Sequence, residues 1–362
     1  MVSIFRPASC MPRTASLLDT PPSIRSNIGS FSNRRTIPTY ATMSNSAWVG
    51  SRLELVALGE VLVELSADRS GEISRGTTWQ TSWAGDVVNT LFYAARSGLR
   101  TGLVTRFGSD PFTQMITDGI ASERIDLTCS TIDPDRPNGL YFIMRDDEGE
   151  RRFHYRRSNS AARSMLEGDS VEFERIADYL GDSRMILVTG VTLAIVRNRD
   201  RLFDLLSDVR RRFGTTIALD PNLRPLLWDS AGDMRRSIER LLPAVDIFLP
   251  SEPDLELLRD RHQSIEGLID ALPVQQIVLK QGARGATLFH QGTVYEAVPE
   301  VTSQAVDTTG AGDALNGRYL AGIIRGEEPS EALRQGVATA GRVVGVVGAI
   351  DPTYSSSLQT GT

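Results

Sequence analysis

The sequence predicts an α/β protein with a mostly parallel central sheet covered by helices on both faces. Short apolar runs alternate with amphipathic stretches along most of the chain, the rhythm of consecutive βαβ units. The 362 residues, 41% hydrophobic and 23% charged, are ordinary for a soluble globular protein and suffice for one large α/β domain or two smaller ones. One stretch, residues 139–157, breaks the rhythm with two strand-like runs around a polar turn, which adds a small sheet to the main one.

Residues 53–60 read as a buried strand ending at Gly59-Glu60, and residues 61–65 continue extended. Ala84-Gly85-Asp86 opens a helix to about Gly98, with Val87, Leu91, Ala94 and Ala95 apolar. A strand at 101–106 and a helix at 113–122 follow. Next come residues 139–145 and 151–157 around Asp146-Asp147-Glu148-Gly149-Glu150, a β-hairpin of the kind that serves as a lid. Further strands are expected at 185–189, 216–220, 247–249, 277–280 and 286–289, and helices at 200–213, 233–242 and 252–260. Beyond Gly310, Ala311, Leu315, Tyr319, Gly322, Ile323 and Ile324 recur at helical spacing, and Gly326 closes that helix.

Composition excludes several function classes. A net charge of −6 gives no global basic field for nucleic acid. No apolar run approaches the roughly 18–20 residues of a membrane span. Cys10 and Cys129 are the only cysteines, too few for a disulfide framework or a Cys-rich zinc site. His154, His262 and His290 are too scattered for H-E-x-x-H. A reducing compartment, the cytoplasm, is the default. Residues 1–50 differ from the rest: Asp19 is their only acid against Arg6, Arg13, Arg25, Arg34 and Arg35, and Ser, Thr and Pro abound. Two readings stay open there, a disordered or wrongly assigned start with Met43 as initiator, or a transit peptide that would direct the protein to an organelle.

The most informative string is Asp307-Thr308-Thr309-Gly310-Ala311-Gly312-Asp313, read on through Ala314-Leu315-Asn316-Gly317. Gly310 and Gly312 flank Ala311 at the mouth of a helix, where backbone N–H groups and the helix dipole converge on an anion. Asp313 follows within the first turn, beside that anion, where a general base for an acceptor hydroxyl belongs. The layout points to phosphoryl transfer to an alcohol. A dinucleotide-binding G-x-G-x-x-G would need glycine at 315, which is leucine, so a nicotinamide oxidoreductase is disfavoured. No G-x-x-x-x-G-K-[ST] occurs either. Four further segments carry polar chemistry. Gly85-Asp86-Val87-Val88-Asn89 places Asp86 and Asn89 on one helical face, though alone it is also an ordinary helix cap. In residues 151–157, Arg152, His154 and Arg156 share one strand face and Phe153, Tyr155 and Arg157 the other, so one face presents cations to an anionic ligand, or simply to solvent. Asp220-Pro221-Asn222-Leu223-Arg224 follows a buried strand, where α/β sheets bind ligands. Lys280-Gln281-Gly282-Ala283-Arg284-Gly285 is a glycine-rich turn.

The D-T-T-G-A-G-D-A-x-N-G string resembles the C-terminal signature of the ribokinase-like (PfkB-type) sugar kinases, and within them the 2-keto-3-deoxygluconate kinases. The resemblance runs from about Leu55 to Tyr354. It implies a three-layer α/β/α fold with a small β-sheet lid near residues 61–83 and 139–157, within a domain spanning 51–355 and followed by a flexible end at 356–362. It implies ATP and Mg²⁺ as cofactors, with a monovalent cation as an additional expectation. Catalysis falls to Asp313 with Gly310, Ala311, Gly312 and Arg224. The substrate, a sugar acid, is expected at Gly85, Asp86, Asn89, Tyr141, His154, Arg156, Arg224 and Asp313, with His154 standing where the relatives carry a tyrosine. ATP is expected at Lys280, Gly282, Gly285, Thr309, Gly310, Gly312 and Gly348. Ser251 and Asp254 match the family's N-x-x-E positions, which makes Asp254 an indirect magnesium partner. A fructokinase- or ribokinase-type enzyme on a neutral sugar is the alternative within the class, and a non-catalytic sugar-acid sensor the alternative outside it; the intact Asp313 argues against the sensor. The exposed lid edge adds self-association as an expectation.

Overall fold

The computed structural model describes residues 52–71, 73–146, 151–299 and 305–355. The expectations for residues 1–50, for the hairpin turn at 147–150 and for 356–362 lie outside these residues. In the first half of the chain the elements are β1 (Leu53–Leu58), β2 (Leu62–Ser70), β3 (Trp79–Ala84), α1 (Asp86–Arg96), β4 (Thr101–Val104), β5 (Arg106–Phe107) and α2 (Thr113–Ser122). Then come β6 (Ile125–Asp126), β7 (Thr131–Ile132), β8 (Gly139–Arg145), β9 (Arg151–Arg156), α3 (Ser170–Gly181), β10 (Ser183–Thr189) and α4 (Gly190–Ile195). The second half adds α5 (Arg199–Phe213), β11 (Thr216–Asp220), α6 (Ala231–Leu241), β12 (Ile247–Phe248), α7 (Glu252–Leu258) and α8 (Ile265–Ala271). It ends with β13 (Gln276–Lys280), β14 (Ala286–His290), β15 (Thr293–Ala297), α9 (Ala311–Arg325) and α10 (Pro329–Val343).

Nine strands form the central sheet in the order β15-β14-β13-β12-β11-β10-β1-β4-β6. It is parallel from β13 to β6 and antiparallel at the β14 and β15 edge. Side chains alternate across β1 into two separate cores. Val56 and Leu58 join Leu180, Leu206, Ile238 and Leu255 on one face, under α3 and α5–α7. Leu55 and Ala57 join Leu91, Ile120, Tyr319 and Val337 on the other, under α1, α2, α9 and α10. Burying both faces is what a parallel sheet requires, and it yields the three-layer α/β/α architecture. Because β1 lies between β4 and β10, the chain winds outward both ways from it, and the crevice at the strands' carboxyl ends opens there.

Residues 61–65 extend as anticipated, but they leave the central sheet. They begin β2 of a second, four-stranded sheet ordered β3-β2-β8-β9. One face of this lid packs Val63, Leu65, Trp83 and Leu140 against the helical core. The other carries Leu62, Ala84, Tyr141 and Ile143 as a small cluster of their own.

Candidate active site

The mouth of α9 is built by a carboxylate rather than by a side-chain cap. Asp307 Oδ1 accepts the Thr309 N–H at 3.1 Å and the Thr309 hydroxyl at 2.7 Å, which folds residues 307–309 back on themselves. Asp307 Oδ2 accepts the Gly348 N–H at 2.6 Å, tying the late turn to the same loop. Gly310 then takes φ 75°, a left-handed value that launches the helix. A side chain there would strike the Ala349 backbone at 2.6–2.7 Å. At Gly312 an added carbon would touch only Lys280, at 3.7–3.8 Å, so the space over the helix mouth is open on the cleft side. The first N–H groups of α9 have no partner within the helix and face that space with the positive end of its dipole.

Asp313, in the first turn, accepts a hydrogen bond from Asn89 Nδ2 at 2.8 Å, which joins the α9 mouth to α1. Burial and the neighbouring Asp86 carboxylate push its carboxyl up to about 8; Asn89 and Lys280 pull the other way without prevailing. A carboxylate raised into the physiological range by burial and a like charge has the properties of a general base. Gly85 precedes α1 because the chain passes so close to the Glu60 carbonyl that a side-chain carbon would sit 2.4 Å from it. Asp86, the first residue of α1, accepts the Val87 N–H at 2.9 Å and Asn222 Nδ2 at 3.1 Å. Its carboxylate therefore faces the site from α1 as Asn222 does from the β11 loop.

Asp220, at the carboxyl end of β11, is the hub of the floor. Its Oδ2 accepts Lys280 Nζ at 2.7 Å and Asn316 Nδ2 at 2.6 Å, and its Oδ1 accepts the Asn222 N–H at 3.1 Å. Burial raises the Asp220 carboxyl while Lys280 acts against that shift. Lys280 thus stands between Asp220 and the open space over Gly312. Gly282 and Gly285, with φ 60° and 93°, make the tight connection between the antiparallel strands β13 and β14. Arg224 is exposed, and among the described residues its guanidinium bonds only to the adjacent Leu223 carbonyl, at 3.1 Å.

Asp254, expected as an indirect magnesium partner, is tied to its own helix and to the Arg224 loop. Its Oδ1 accepts the Leu223 N–H at 2.7 Å, and its Oδ2 accepts the Ser251 N–H at 2.8 Å and hydroxyl at 2.5 Å. The carboxylate is buried and holds three hydrogen bonds, in a capping box that clamps the Arg224 loop to α7. Among the described residues no group of three or more acidic, His or Cys side chains is arranged to hold a metal. A magnesium ion would be carried there mainly by nucleotide phosphates and water.

The lid corrects a second expectation. Tyr141 pairs directly with Tyr155 across β8 and β9, and their rings stack at 5.4 Å. The Tyr141 hydroxyl donates to Glu64, whose carboxyl burial raises against the pull of that hydrogen bond and of Arg151. Tyr155 therefore shares the inner face with Tyr141, strand alternation gives the same face to Arg151 and Phe153, and Arg157, just past the end of β9, sets its guanidinium 5.9 Å over the Tyr155 ring. Arg157 reaches Glu60 at the lid's base, and Arg151 reaches Asp307. His154 and Arg156 sit on the opposite, exposed face, paired with Phe142 and Leu140. The expected Tyr-x-Arg spacing recurs one residue later as Tyr155-Arg156-Arg157, with a true tyrosine in place of His154. Parity with Tyr141 was the signal that distinguishes the two registers. Glu60, Glu64 and Arg157 were not read as site residues from sequence, because nothing local marks them.

Residues 52–355 match the pfkB family carbohydrate kinases. The chain is 31% identical over 311 residues to 2-dehydro-3-deoxygluconokinase of Escherichia coli K12, covering 83% of this chain and 97% of that one. It is 32% identical to the enzyme of the same name from Thermoproteus tenax, over 82% and 90% of the two chains. A solved PfkB protein from Polaromonas sp. JS666 superposes with a TM-score of 0.71 at 25% identity, covering 81% and 96%. With the glycine-flanked helix mouth, the aspartate within it and the lid above them, this chain belongs to the PfkB family of carbohydrate kinases.

Proposed function

We propose that this protein transfers the γ-phosphoryl group of ATP to a hydroxyl of 2-keto-3-deoxygluconate, or of a closely similar sugar acid. The observation that carries the reading is Asp313, set in the first turn of α9 with its carboxyl pushed up to about 8. Asp313 takes the proton of the acceptor hydroxyl, and the freed oxygen attacks the γ-phosphorus as the bond to ADP breaks. The N–H groups at Gly312 and Asp313, with Lys280, lie where charge on the transferring phosphoryl group needs them. Magnesium, carried by the nucleotide, supplies further neutralisation of phosphate charge. Asp86, Asn89 and Asn222 offer hydrogen bonds for sugar hydroxyls.

The acid-sugar assignment draws support from Arg157. Its guanidinium lies over the Tyr155 ring of the lid, and its Nε is buried without a hydrogen-bond partner among the described residues. A fork-shaped guanidinium with an unused donor suits a substrate carboxylate. A neutral sugar is the second reading, favoured by the Glu60 carboxylate that already compensates the Arg157 charge. The open lid edges β3 and β9 leave room for a second copy of the chain, which light scattering would count. An ADP-release assay on 2-keto-3-deoxygluconate, fructose and ribose separates the readings. The sugar acid is expected to give the highest kcat/KM. A tenfold preference for a neutral sugar removes the acid assignment, and tight sugar-acid binding without ADP release removes the kinase.

A further inference from the structure

The inner face of the lid and the phosphate-side loop are joined by one charged bridge. Arg151, at the start of β9, donates to Asp307 Oδ2 across 156 residues of sequence. The same oxygen accepts the Gly348 N–H, and the other holds Thr309. Asp307 is 4% exposed and Arg151 17%, so solvent screens the pair far less than a surface ion pair. Burial would raise the Asp307 carboxyl, but the Gly348 amide, both Thr309 donors and Arg151 outweigh it and hold it low. On the lid side, Arg151 shares its strand face with Tyr155 and lies within electrostatic reach of Glu64, the acceptor of the Tyr141 hydroxyl. The Tyr141 hydroxyl thus bonds to Glu64, the Arg151 charge acts on Glu64 through space, and Arg151 bonds to Asp307 at the turn that starts α9.

We infer that Arg151 is a positioning residue that couples the two ligand sites: a sugar seated beneath the lid holds Arg151 on Asp307, and Asp307 then holds the 309–312 turn ready for the nucleotide's phosphates. The inference rests on the kinase reading above. Arg151 touches neither ligand. Its effect travels through Asp307, whose hydrogen bonds shape the loop just before Gly310 and at Gly348. Coupling of this kind is reciprocal, so either ligand tightens the other by the same factor.

Calorimetry tests it, with a non-hydrolysable ATP analogue titrated with and without saturating 2-keto-3-deoxygluconate. In the wild-type protein the sugar acid is expected to tighten the analogue at least about fivefold, the low end of ordinary coupling. In Arg151→Gln that ratio falls below about twofold, while each ligand's affinity alone changes less than about threefold, and Arg151→Lys recovers most of the ratio. A wild-type ratio near one, or an undiminished ratio in Arg151→Gln, overturns the inference. A purely structural role would instead weaken both single-ligand affinities and leave the ratio intact. Hydrogen exchange supplies a test that needs no ligand: the amides of residues 309–312 and 348 should exchange faster in Arg151→Gln, and unchanged protection there overturns the coupling. That measurement decides the coupling even if the wild-type chain binds neither compound, the outcome that would remove the kinase reading itself.

Discussion

Gly310 and Gly312 stand two residues apart in one turn, yet the structure requires glycine at each for a different reason, and alanine at each should separate them. At Gly310 the backbone is left-handed, φ 75°, and an added carbon meets Ala349 O at 2.6 Å and its Cα at 2.7 Å. Ala349 cannot yield freely, because its carbonyl accepts the Tyr93 hydroxyl at 3.0 Å and that hydroxyl accepts the Asp351 N–H at 2.9 Å. Left-handed backbone costs an L-residue roughly 1–2 kcal/mol, and overpacking a fixed contact about 1–3 more. With about 2.1 cal/mol/K of unfolding entropy per residue over about 300 residues, Gly310→Ala should lower Tm by about 3–8 °C. Gly312 has no positive φ, and its added carbon makes only ordinary contact with Lys280 at 3.7–3.8 Å. Alanine is the better helix former by up to about 1 kcal/mol, so Gly312→Ala should melt at or about 1 °C above wild type. Its methyl group, however, occupies the approach to N–H groups that must come within about 2.7–3.1 Å of the phosphoryl oxygens. Turnover should fall by about 10²–10³, the scale of losing one anion-hole donor. Calorimetric melting and a coupled ADP assay on both variants measure the split. If Gly312→Ala keeps wild-type turnover, the transferred phosphoryl group does not sit over this turn; if Gly310→Ala keeps its Tm, the Ala349 contact is no constraint.

Further outcomes are expected. Asp313→Asn should lower kcat by about 10²–10⁴ with ATP still bound, and wild-type kcat/KM should rise with pH through about 8 as Asp313 loses its proton. The same raised carboxyl favours folding below its ordinary value near 3.8, and that contribution is lost as pH climbs to about 8. Melting curves should therefore show Asp313→Asn gaining on wild type across this window; a constant gap would refute the shift. Arg157→Lys should raise KM for the sugar acid about 10-fold or more through loss of the fork, with KM for ATP little changed, whereas Arg156→Ala on the outer face should alter neither by more than about twofold. The opposite ranking in steady-state kinetics would return the substrate to the outer register. A chain beginning at Met43 should keep full activity and Tm, because the preceding composition cannot build a packed core; loss of either would move the proposed domain boundary.

Much of this molecule is legible locally. The strands and helices around residues 53–58, 86–96, 199–213 and 216–220 are spelled by apolar runs and helical spacing within a few turns of chain. The signature at 307–313 is equally local, since a glycine-flanked helix mouth and its aspartate lie within one turn. Other elements passed unread although their signals were present: Asp169 caps α3, and Pro329 opens α10 at the position where proline is tolerated.

Sequence by itself therefore determined the layer architecture, the presence of a lid hairpin and the helix mouth that carries Asp313, because each depends on neighbours along the chain. Tertiary structure alone decided which arginine faces the cleft. Residues 151–157 alternate either way, and only the pairing of Tyr155 with Tyr141 assigns the inner face, since a one-residue slip exchanges every side chain. It alone showed what holds Asp254, because two of its donors come from Ser251 and the third from Leu223, 31 residues away. It alone joined Asp220 to Lys280 and Asn316 across 60 and 96 residues, and Arg151 to Asp307. Charge pairs of that separation leave no periodicity in the chain; they exist only where packing brings the strand ends and helix mouths together.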